Sequence, residues 1–256
     1  MSILSLEKIS VAFGGLLAVS DFNFPMEDRE LVGLIGPNGA GKTTVFNVIT
    51  GYHSPLSGRV VFAGRDITSK SPSYIAKLGI SRTFQNIRLF PNLTVLENVM
   101  IAAQMHSHSS YLHSLLRTSY FYREESHIER RAQNALEIVG LDKIKDEISK
   151  NLPYGDQRKL EIARAIATEP ALILLDEPAA GMNPKETEEL IDIIRILRDN
   201  LGLTIFLIEH DMHVVMNICE RIVVLNYGEI IAEGTPEEIK TKPEVLEAYL
   251  GSATIG

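Results

Sequence analysis

Gly36-Pro37-Asn38-Gly39-Ala40-Gly41-Lys42-Thr43 lies between the apolar run Leu31–Ile35 and a segment with helical spacing, Thr44–Thr50. This order of strand, glycine-rich loop and helix is the context that a P-loop requires. The glycines allow backbone N–H groups to turn towards a phosphate chain, and the helix adds the positive end of its dipole. Lys42 supplies a charge for the β- and γ-phosphates, and the Thr43 hydroxyl can ligate Mg²⁺. The full match in this context argues against an ordinary glycine-rich turn and predicts a site for a nucleoside triphosphate.

The composition limits the possible partners and location of the chain. Its 256 residues are 45% hydrophobic and 23% charged, which is typical of a globular protein. The net charge of −8 argues against nucleic acid as the main partner, because phosphate neutralisation needs clustered Lys and Arg. The single cysteine, Cys219, excludes a disulfide within the chain and is expected to be buried. We expect a cytosolic protein without a signal peptide, since no apolar run approaches the ~18–20 residues of a membrane span.

The pattern of the chain changes twice along its length. Short apolar runs typical of strands alternate with helical segments over 1–85 and 157–256, which predicts an α/β lobe. Helical periodicity replaces them over 86–156, which predicts an inserted helical lobe within a single domain, 1–256. Inside this lobe, the segment His106–Tyr122 is rich in Ser, His and Tyr. Its histidines His106, His108 and His113 lack Cys or carboxylate partners at ligand spacing and are more often surface residues than metal ligands.

Two carboxylates, Asp176 and Glu177, directly follow the apolar run Ala171–Leu175. In P-loop enzymes the strand beside the P-loop strand ends in an aspartate that holds Mg²⁺, and Asp176 fits this role. Glu177 then lies nearest the γ-phosphate and can polarise a water molecule as general base. An acidic turn at a strand end is common by itself, but its occurrence together with a P-loop favours a catalytic role.

Two other polar residues follow strand ends. His210 comes after the run Leu203–Ile208, and it can hydrogen-bond the γ-phosphate because such folds bind ligands at the carboxyl edge of the sheet. Gln85 follows the expected strand Ile80–Phe84 and can reach Mg²⁺ or the attacking water. Phe13 precedes the P-loop by a distance suited to stacking on a base. Core packing is a nearly equal alternative for Phe13.

The segment Asn151–Gln157 closes the helical lobe and opens a helix. The sequence resembles the ATP-binding subunits of ABC transporters over nearly its whole length. That family has the same motifs in the same order and spacing: the P-loop, Gln85, this segment, the Asp176-Glu177 pair and His210. The family's signature corresponds to Leu152, Pro153, Tyr154, Gly155 and Asp156. Four stretches look like the ATPase subunits of branched-chain amino acid importers in particular: Leu152–Arg164, Ala179–Thr187, Glu209–Met212 and Ala248–Gly251.

The resemblance implies an α/β fold with a P-loop NTPase core, an antiparallel β subdomain and an inserted helical subdomain. It also implies that two ATPase subunits, identical or paralogous, meet head to tail. ATP and Mg²⁺ would then lie between the P-loop of one and the signature of the other. Permease subunits would sit in the groove near Gln85–Leu96, at the cytoplasmic face of the inner membrane. Hydrolysis would drive an importer of branched-chain or other hydrophobic amino acids that is fed by a substrate-binding protein.

Three residues depart from the family pattern. Pro153 stands where a serine usually offers a hydroxyl and a backbone N–H to phosphate, and proline supplies neither. Asp156 replaces a glutamine, and its carboxylate suits the helix dipole but repels phosphate. Asn183 replaces an aspartate in the loop after Glu177. We hypothesise that this signature serves a weaker ATP site.

Other functions stay open on these residues. The motor of another transporter, such as the lipopolysaccharide-exporting type, shares the C-terminal pattern. A soluble ABC ATPase acting on DNA or ribosomes would need a long coiled-coil insertion or a second P-loop, and the chain has neither. A scaffold that binds ATP without cleaving it is disfavoured by the presence of Glu177 and His210.

Overall fold

A computed structural model describes residues 2–106 and 119–253. Its strands are β1 (Ser2–Phe13), β2 (Leu16–Glu27), β3 (Leu31–Ile35), β4 (Ser57–Phe62), β5 (Arg65–Asp66), β6 (Ile80–Arg82), β7 (Leu172–Asp176), β8 (Thr204–Ile208), β9 (Arg221–Asn226) and β10 (Glu229–Gly234). Its α-helices are α1 (Lys42–Ile49), α2 (Pro72–Lys77), α3 (Val95–Ala103), α4 (Ser119–Val139), α5 (Tyr154–Ile166), α6 (Pro184–Asp199), α7 (Met212–Ile218), α8 (Pro236–Thr241) and α9 (Pro243–Ala253).

The strands form two sheets. An antiparallel sheet has the order β2-β1-β4-β5, and a six-stranded sheet has the order β10-β9-β3-β8-β7-β6. In the second sheet β9, β3, β8, β7 and β6 are parallel and β10 is antiparallel at the edge. The P-loop follows β3, so it lies at the carboxyl edge, where parallel α/β sheets bind their ligands.

The expectation that the strand ending in Asp176 lies beside the P-loop strand is wrong. Strand β8 separates β7 from β3, with Ile205 opposite both Leu31 and Ile173. Parallel neighbours are joined by long crossovers, so the order of strands along the chain does not fix their order in the sheet. Asp176 nevertheless ends at the same edge, because its Cα pairs with Ile208 of β8.

The central strands bury side chains on both faces of the six-stranded sheet. In β8, Phe206 and Ile208 join the core shared with the antiparallel sheet and α1, whereas Ile205 and Leu207 join the core shared with the long helices. This alternation follows from the two-residue repeat of a strand, and burial on both faces explains the continuous apolar sequence. Phe206 stacks on Phe24 with ring centroids 4.8 Å apart, and it thereby fixes the antiparallel sheet beneath the P-loop helix.

The helical part packs on the opposite face. Helix α3 begins with a capping box formed by Thr94 and Glu97, and it shares one apolar core with α4, α5 and the sheet. The buried Asn98 amide holds the preceding loop, because its Oδ1 accepts from the Phe90 N–H at 2.8 Å and its Nδ2 donates to the Thr94 carbonyl at 2.9 Å. The predicted boundary between residues 156 and 157 falls inside α5, and the domain limits stay a prediction.

The structure also bears on the predictions for the cysteine, the histidines and membrane-spanning segments. Cys219 is buried, and its Sγ lies 2.9 Å from the position that a Cβ on Gly33 would take. His108 and His113 lie outside the described residues, and His106 ends a short 3₁₀ turn, Gln104–His106. Over 2–106 and 119–253, no group of three or more His, Cys, Asp or Glu residues is arranged to hold a metal ion. In the same part of the chain, none of the helices has the length and apolar character needed to cross a bilayer.

Candidate nucleotide-binding site

The P-loop backbone adopts conformations that need glycine. Gly41 has φ +106°, and a Cβ there would lie 2.6 Å from the Ala18 carbonyl oxygen. Gly36 has φ +148°, and its Cβ would lie 2.0 Å from the Leu225 carbonyl oxygen. The loop is also fixed from outside, because Ala40 O accepts a hydrogen bond from the Gly228 N–H at 2.9 Å. The sequence therefore folds this segment into one tight loop beside β2 and β9.

Lys42 is held inside the loop that precedes it. Its Nζ donates to the carbonyls of Gly36 at 2.6 Å and Pro37 at 2.9 Å, and the residue is only 7% exposed. Burial lowers the pKa of Lys42, and the nearby carboxylates of Glu177 and Asp176 oppose this. No side chain caps the N-terminus of α1, while Thr43 is exposed and Thr44 partly exposed. The free N–H groups of this first turn suit phosphate oxygens.

Asp176 forms a buried ion pair with an arginine. Its Oδ2 accepts from Arg82 Nη2 at 2.7 Å, and the two side chains are 4% and 5% exposed. Burial raises the pKa of Asp176, and the Arg82 guanidinium opposes the rise. Arg82 also donates from Nη1 to Asn47 Oδ1 at 2.8 Å and to Thr50 Oγ1 at 3.2 Å. Arg82 thus joins β6, β7 and the P-loop helix.

Glu177 lies where several of the predicted residues converge. Gln85 Nε2 donates to Glu177 Oε2 at 2.9 Å, and His210 Nδ1 lies 3.6 Å from the same oxygen. Glu177 has φ +48°, and its N–H donates to the Ile208 carbonyl at 2.8 Å. A non-glycine residue in this region is uncommon and occurs at functional sites. The structure therefore brings Gln85, Glu177 and His210 together.

Sequence reasoning missed two residues that position this group. Glu209 is completely buried, and its carboxylate accepts from the N–H groups of Ala179 at 2.8 Å, His210 at 2.9 Å and Asp211 at 3.2 Å. It therefore ties the loop after Glu177 to the turn that carries His210. Burial raises the pKa of Glu209, and these three N–H groups oppose the rise. Arg82 is the other missed residue.

Phe13 is not a core residue. It is 46% exposed at the end of β1, and its ring meets that of His53 edge-on, with centroids 5.1 Å apart. The alternative of core packing is therefore wrong. An exposed ring is available for stacking, so base contact by Phe13 stays a prediction.

The signature lies on the helical side of the molecule. Pro153 is the N-cap residue of α5 and provides no capping side chain, and Tyr154 is 42% exposed. Asp156 Oδ1 lies 3.4 Å from Lys159 Nζ, which also pairs with Glu189 at 2.5 Å. Among the described residues, no hydrogen bond or ion pair joins 152–156 to 36–44.

Asn183 has a clear local role. Its Oδ1 accepts from the N–H groups of Lys185 at 3.0 Å and Glu186 at 3.1 Å, while Glu186 Oε2 accepts from the Asn183 N–H at 2.8 Å. This is a capping box at the start of α6. Asparagine caps a helix as well as aspartate does, so this departure from the family pattern preserves the helix start.

The fold and the site together define a P-loop protein with a nucleotide site at the carboxyl edge of its sheet. A family model described as ABC transporter matches residues 19–180. A model described as branched-chain amino acid ATP-binding cassette transporter matches residues 229–254. The chain therefore belongs to the ABC transporter family, and the resemblance drawn from its motifs is confirmed.

Similar curated proteins match over almost the whole chain. The high-affinity branched-chain amino acid transport ATP-binding protein LivG of Escherichia coli (strain K12) is 47% identical over 98% of both chains. LivG of Salmonella typhimurium is also 47% identical over 98% of both chains. The high-affinity branched-chain amino acid transport ATP-binding protein BraF of Pseudomonas aeruginosa is 45% identical over 98% of both. These likenesses confirm the prediction of an ABC ATPase.

Solved structures confirm the fold class. The ADP conformation of MJ1267, an ATP-binding cassette of an ABC transporter, matches with a TM-score of 0.85 and 34% identity, covering 98% of this chain and 99% of that one. A dimeric post-hydrolysis state of the cassette MJ0796, bound to ADP and Pi, matches with a TM-score of 0.76 and 26% identity, covering 91% of this chain and 98% of that one.

Proposed function

We propose that the chain is the ATP-hydrolysing motor of an importer for branched-chain or other hydrophobic amino acids. The observation that carries the hydrolytic role is the convergence of Gln85 and His210 on Glu177, beside the buried Lys42. The amino acid substrate is supported by the names of the 45–47% identical relatives and by the match over residues 229–254. The transported molecule itself is bound by other subunits.

The residues can carry out the hydrolytic step. Lys42 and the N–H groups of the first turn of α1 would bind the β- and γ-phosphates. Glu177 would accept the proton of a water molecule as its oxygen bonds to the γ-phosphorus and the bond to the ADP oxygen breaks. Gln85 and His210 would orient Glu177 and the water, and His210 would also hydrogen-bond the γ-phosphate. Phe13 would stack on the base.

The donor set also suits Mg²⁺. This ion keeps several water ligands and is usually held by one or two carboxylates together with substrate phosphates. Thr43, Gln85 and Asp176 would hold the ion, with Asp176 kept in place by Arg82. When bound, the ion would neutralise charge on the phosphates.

A second ATPase subunit would complete each site. The signature residues lie apart from the P-loop of their own chain, and their exposed N-terminal helix turn would face the nucleotide of a partner placed head to tail. The dimeric form of the structural neighbour MJ0796 supports this arrangement. The partner would be a second copy or a paralogue.

A groove of about 310 Å³ would seat the permease at the cytoplasmic face of the inner membrane. It opens between the lobes, and Tyr52, Phe84, Arg88 and Arg164 are among its lining residues. Phe84 directly precedes Gln85, and Arg88 follows it by three positions, so a permease segment in the groove would respond to movement at the hydrolytic site. A substrate-binding protein would act through the permease.

Glu177→Gln tests the proposed function. It removes the proton acceptor and keeps the shape of the side chain, so we expect ATP binding to persist while hydrolysis falls by roughly 10²–10⁴-fold. ATP turnover and nucleotide binding would be measured on the complex purified from native membranes. Mass spectrometry of that complex would identify the associated permease and binding protein.

The exposed Glu237 provides the matched control, since Glu237→Gln removes the same charge from α8, away from the site. It should leave turnover unchanged. Normal turnover by Glu177→Gln would exclude Glu177 as the base. Co-purification with a lipopolysaccharide exporter, or with no membrane protein, would exclude the amino acid importer.

A further inference from the structure

Tyr154 connects the signature to the loop behind the proposed catalytic base. It is the third of the five signature residues, 152–156. Its Cε1 lies 3.1 Å from the position that a Cβ on Gly181 would take, so the ring lies directly against this loop. The Tyr154 hydroxyl accepts from Arg158, from Nε at 3.1 Å and from Nη2 at 2.8 Å. The ring is partly exposed while its hydroxyl binds a buried guanidinium.

Arg158 fixes the backbone on both sides of the Gln85 side chain. Its Nη1 donates to the Phe84 carbonyl at 2.9 Å, and its Nη2 donates to the Gln85 carbonyl. Arg158 also pairs with Glu161 at 3.2 Å, and Glu161 Oε1 accepts from the Arg88 N–H at 2.7 Å. The Arg158 and Glu161 side chains are 4% and 5% exposed, so these bonds are shielded from water.

These contacts form a closed path within one chain. The Gln85 side chain donates to Glu177 Oε2 at 2.9 Å. Glu177 continues into a tight turn, in which its carbonyl accepts from the Ala180 N–H at 3.2 Å. Gly181 follows and contacts Tyr154, which binds Arg158, and Arg158 returns to the backbone of Gln85. A displacement of Tyr154 therefore acts on Glu177 from two sides.

We infer that Tyr154 and Arg158 are a pair of positioning residues that couple the signature to Gln85 and Glu177 of the same chain. The inference rests on the proposed function, in which the signature faces the nucleotide of the partner subunit. Occupancy of the partner's site would then set the position of Gln85 and Glu177 in this chain's own site. The exposed ring of Tyr154 is the part that would meet the partner.

Tyr154→Phe isolates this role, because it keeps the ring on Gly181 and removes only the acceptor for Arg158. Hydrogen exchange of the full chain would be measured with and without a non-hydrolysable ATP analogue and Mg²⁺. In the parent chain we expect the analogue to slow exchange of the amides at 36–44 and 84–88. In Tyr154→Phe the amides at 36–44 should stay protected, while the Arg88 amide should exchange roughly tenfold faster.

Steady-state kinetics of the assembled transporter give a second readout. Tyr154→Phe should lower kcat several-fold and leave KM for ATP unchanged, because Lys42 and the P-loop are untouched. Arg158→Lys should produce the same split, since lysine cannot bond to two carbonyls and a hydroxyl in one plane. A merely structural role would lower the thermal midpoint and raise KM as well.

The outcomes separate the inference from the proposed function. The matched control is Tyr74→Phe, which removes the hydroxyl of a tyrosine of similar overall exposure, 45%, from α2 and should behave as the parent chain. If the analogue protects no amide at 36–44 in the parent chain, the proposed function fails. If these amides are protected and Tyr154→Phe matches the parent in both exchange at 84–88 and kcat, the inference fails.

Discussion

The P-loop and the signature of this chain are built in opposite ways. The P-loop is closed on itself, because the 7% exposed Lys42 bonds to two carbonyls of its own loop. Both α1 and α5 begin without a capping side chain, but the signature is open, because Pro153 is exposed and Tyr154 is 42% exposed. A helix end without protein partners has N–H groups free to bind another molecule.

This difference indicates which half of the proposed two-chain ATP site is already ordered within a single chain. The P-loop half has its charges already paired, as in the buried contact between Arg82 and Asp176. In the signature half, Arg158 holds the Tyr154 hydroxyl from inside the chain, and the exposed ring of Tyr154 lies on the surface where we propose that a partner subunit binds. Substitutions in the first half should therefore affect stability and binding strongly, and substitutions at the front of the second should have smaller effects.

Arg82→Ala should have the largest effect on the P-loop half. It leaves Asp176 as a buried carboxylate without its cation, and such a change costs about 3–5 kcal/mol. It also removes the bonds to Asn47 and Thr50 of α1. The free energy of unfolding would be measured by urea denaturation. The control is Arg195→Ala, whose side chain is 44% exposed and which should change stability by less than about 0.5 kcal/mol.

The cost of Arg82→Ala should depend on pH. Burial raises the pKa of Asp176, and Arg82 limits the rise, so removing Arg82 raises this pKa further. A carboxyl group whose folded-state pKa lies above its unfolded value loses stability as pH rises through that interval. The destabilisation should therefore be largest near neutral pH and decrease as the pH falls below about 4, the ordinary pKa of an aspartate, because both states then hold the proton. An equal or larger cost at acid pH would contradict the role given to this pair.

Local motifs were predictable and long-range pairings were not. The P-loop and the acidic strand end lie within short stretches, so their chemistry is visible in the sequence. Arg82 binds a carboxylate 94 positions away, and Arg158 binds a carbonyl 73 positions away. Nothing in the local pattern of either arginine indicates its partner.

The order of the strands across the sheet could not be predicted from the sequence either, because it also depends on pairings between distant segments. Strands β7 and β8 are equally short and apolar, so nothing in them shows which one lies beside β3. Glu209 could have been noticed, since a glutamate directly follows the buried run of β8 and precedes His210. Its role in joining two loops is evident only from the structure, in which its carboxylate accepts from the Ala179 N–H.

Lys42→Ala should weaken nucleotide binding. The change removes a buried ammonium group from the phosphate site and leaves the carbonyls of Gly36 and Pro37 without their donor. Loss of such a charged contact costs about 2–5 kcal/mol, which corresponds to at least roughly 30-fold in affinity. Calorimetric titration with a non-hydrolysable ATP analogue would measure it. Lys185→Ala, with a side chain 88% exposed, is the control, and equal affinities of the two variants would overturn the P-loop assignment.

The double variant Pro153→Ser with Asp156→Gln changes exposed signature residues at the start of α5. It should have the smallest effect on ATP turnover of these variants. Serine can cap α5 and offer a hydroxyl and an N–H to phosphate, and glutamine removes a charge that repels it. Lys159 already lies 3.4 Å from Asp156, so part of this repulsion is compensated and the gain is limited. We expect ATP turnover of the assembled complex to rise about three- to tenfold, from about 1 kcal/mol of improved contact.

The same double variant also tests stability and function separately. The new cap should raise the free energy of unfolding by about 1 kcal/mol, because Pro153 now provides no capping bond. Asp192→Asn, which removes an exposed charge from α6, should change neither quantity. If stability rises while turnover stays at the parent value, the cap forms but the signature does not limit hydrolysis, and the hypothesis of a weaker ATP site is wrong. A rise in both would show that the open half of the site, rather than the P-loop, sets the rate.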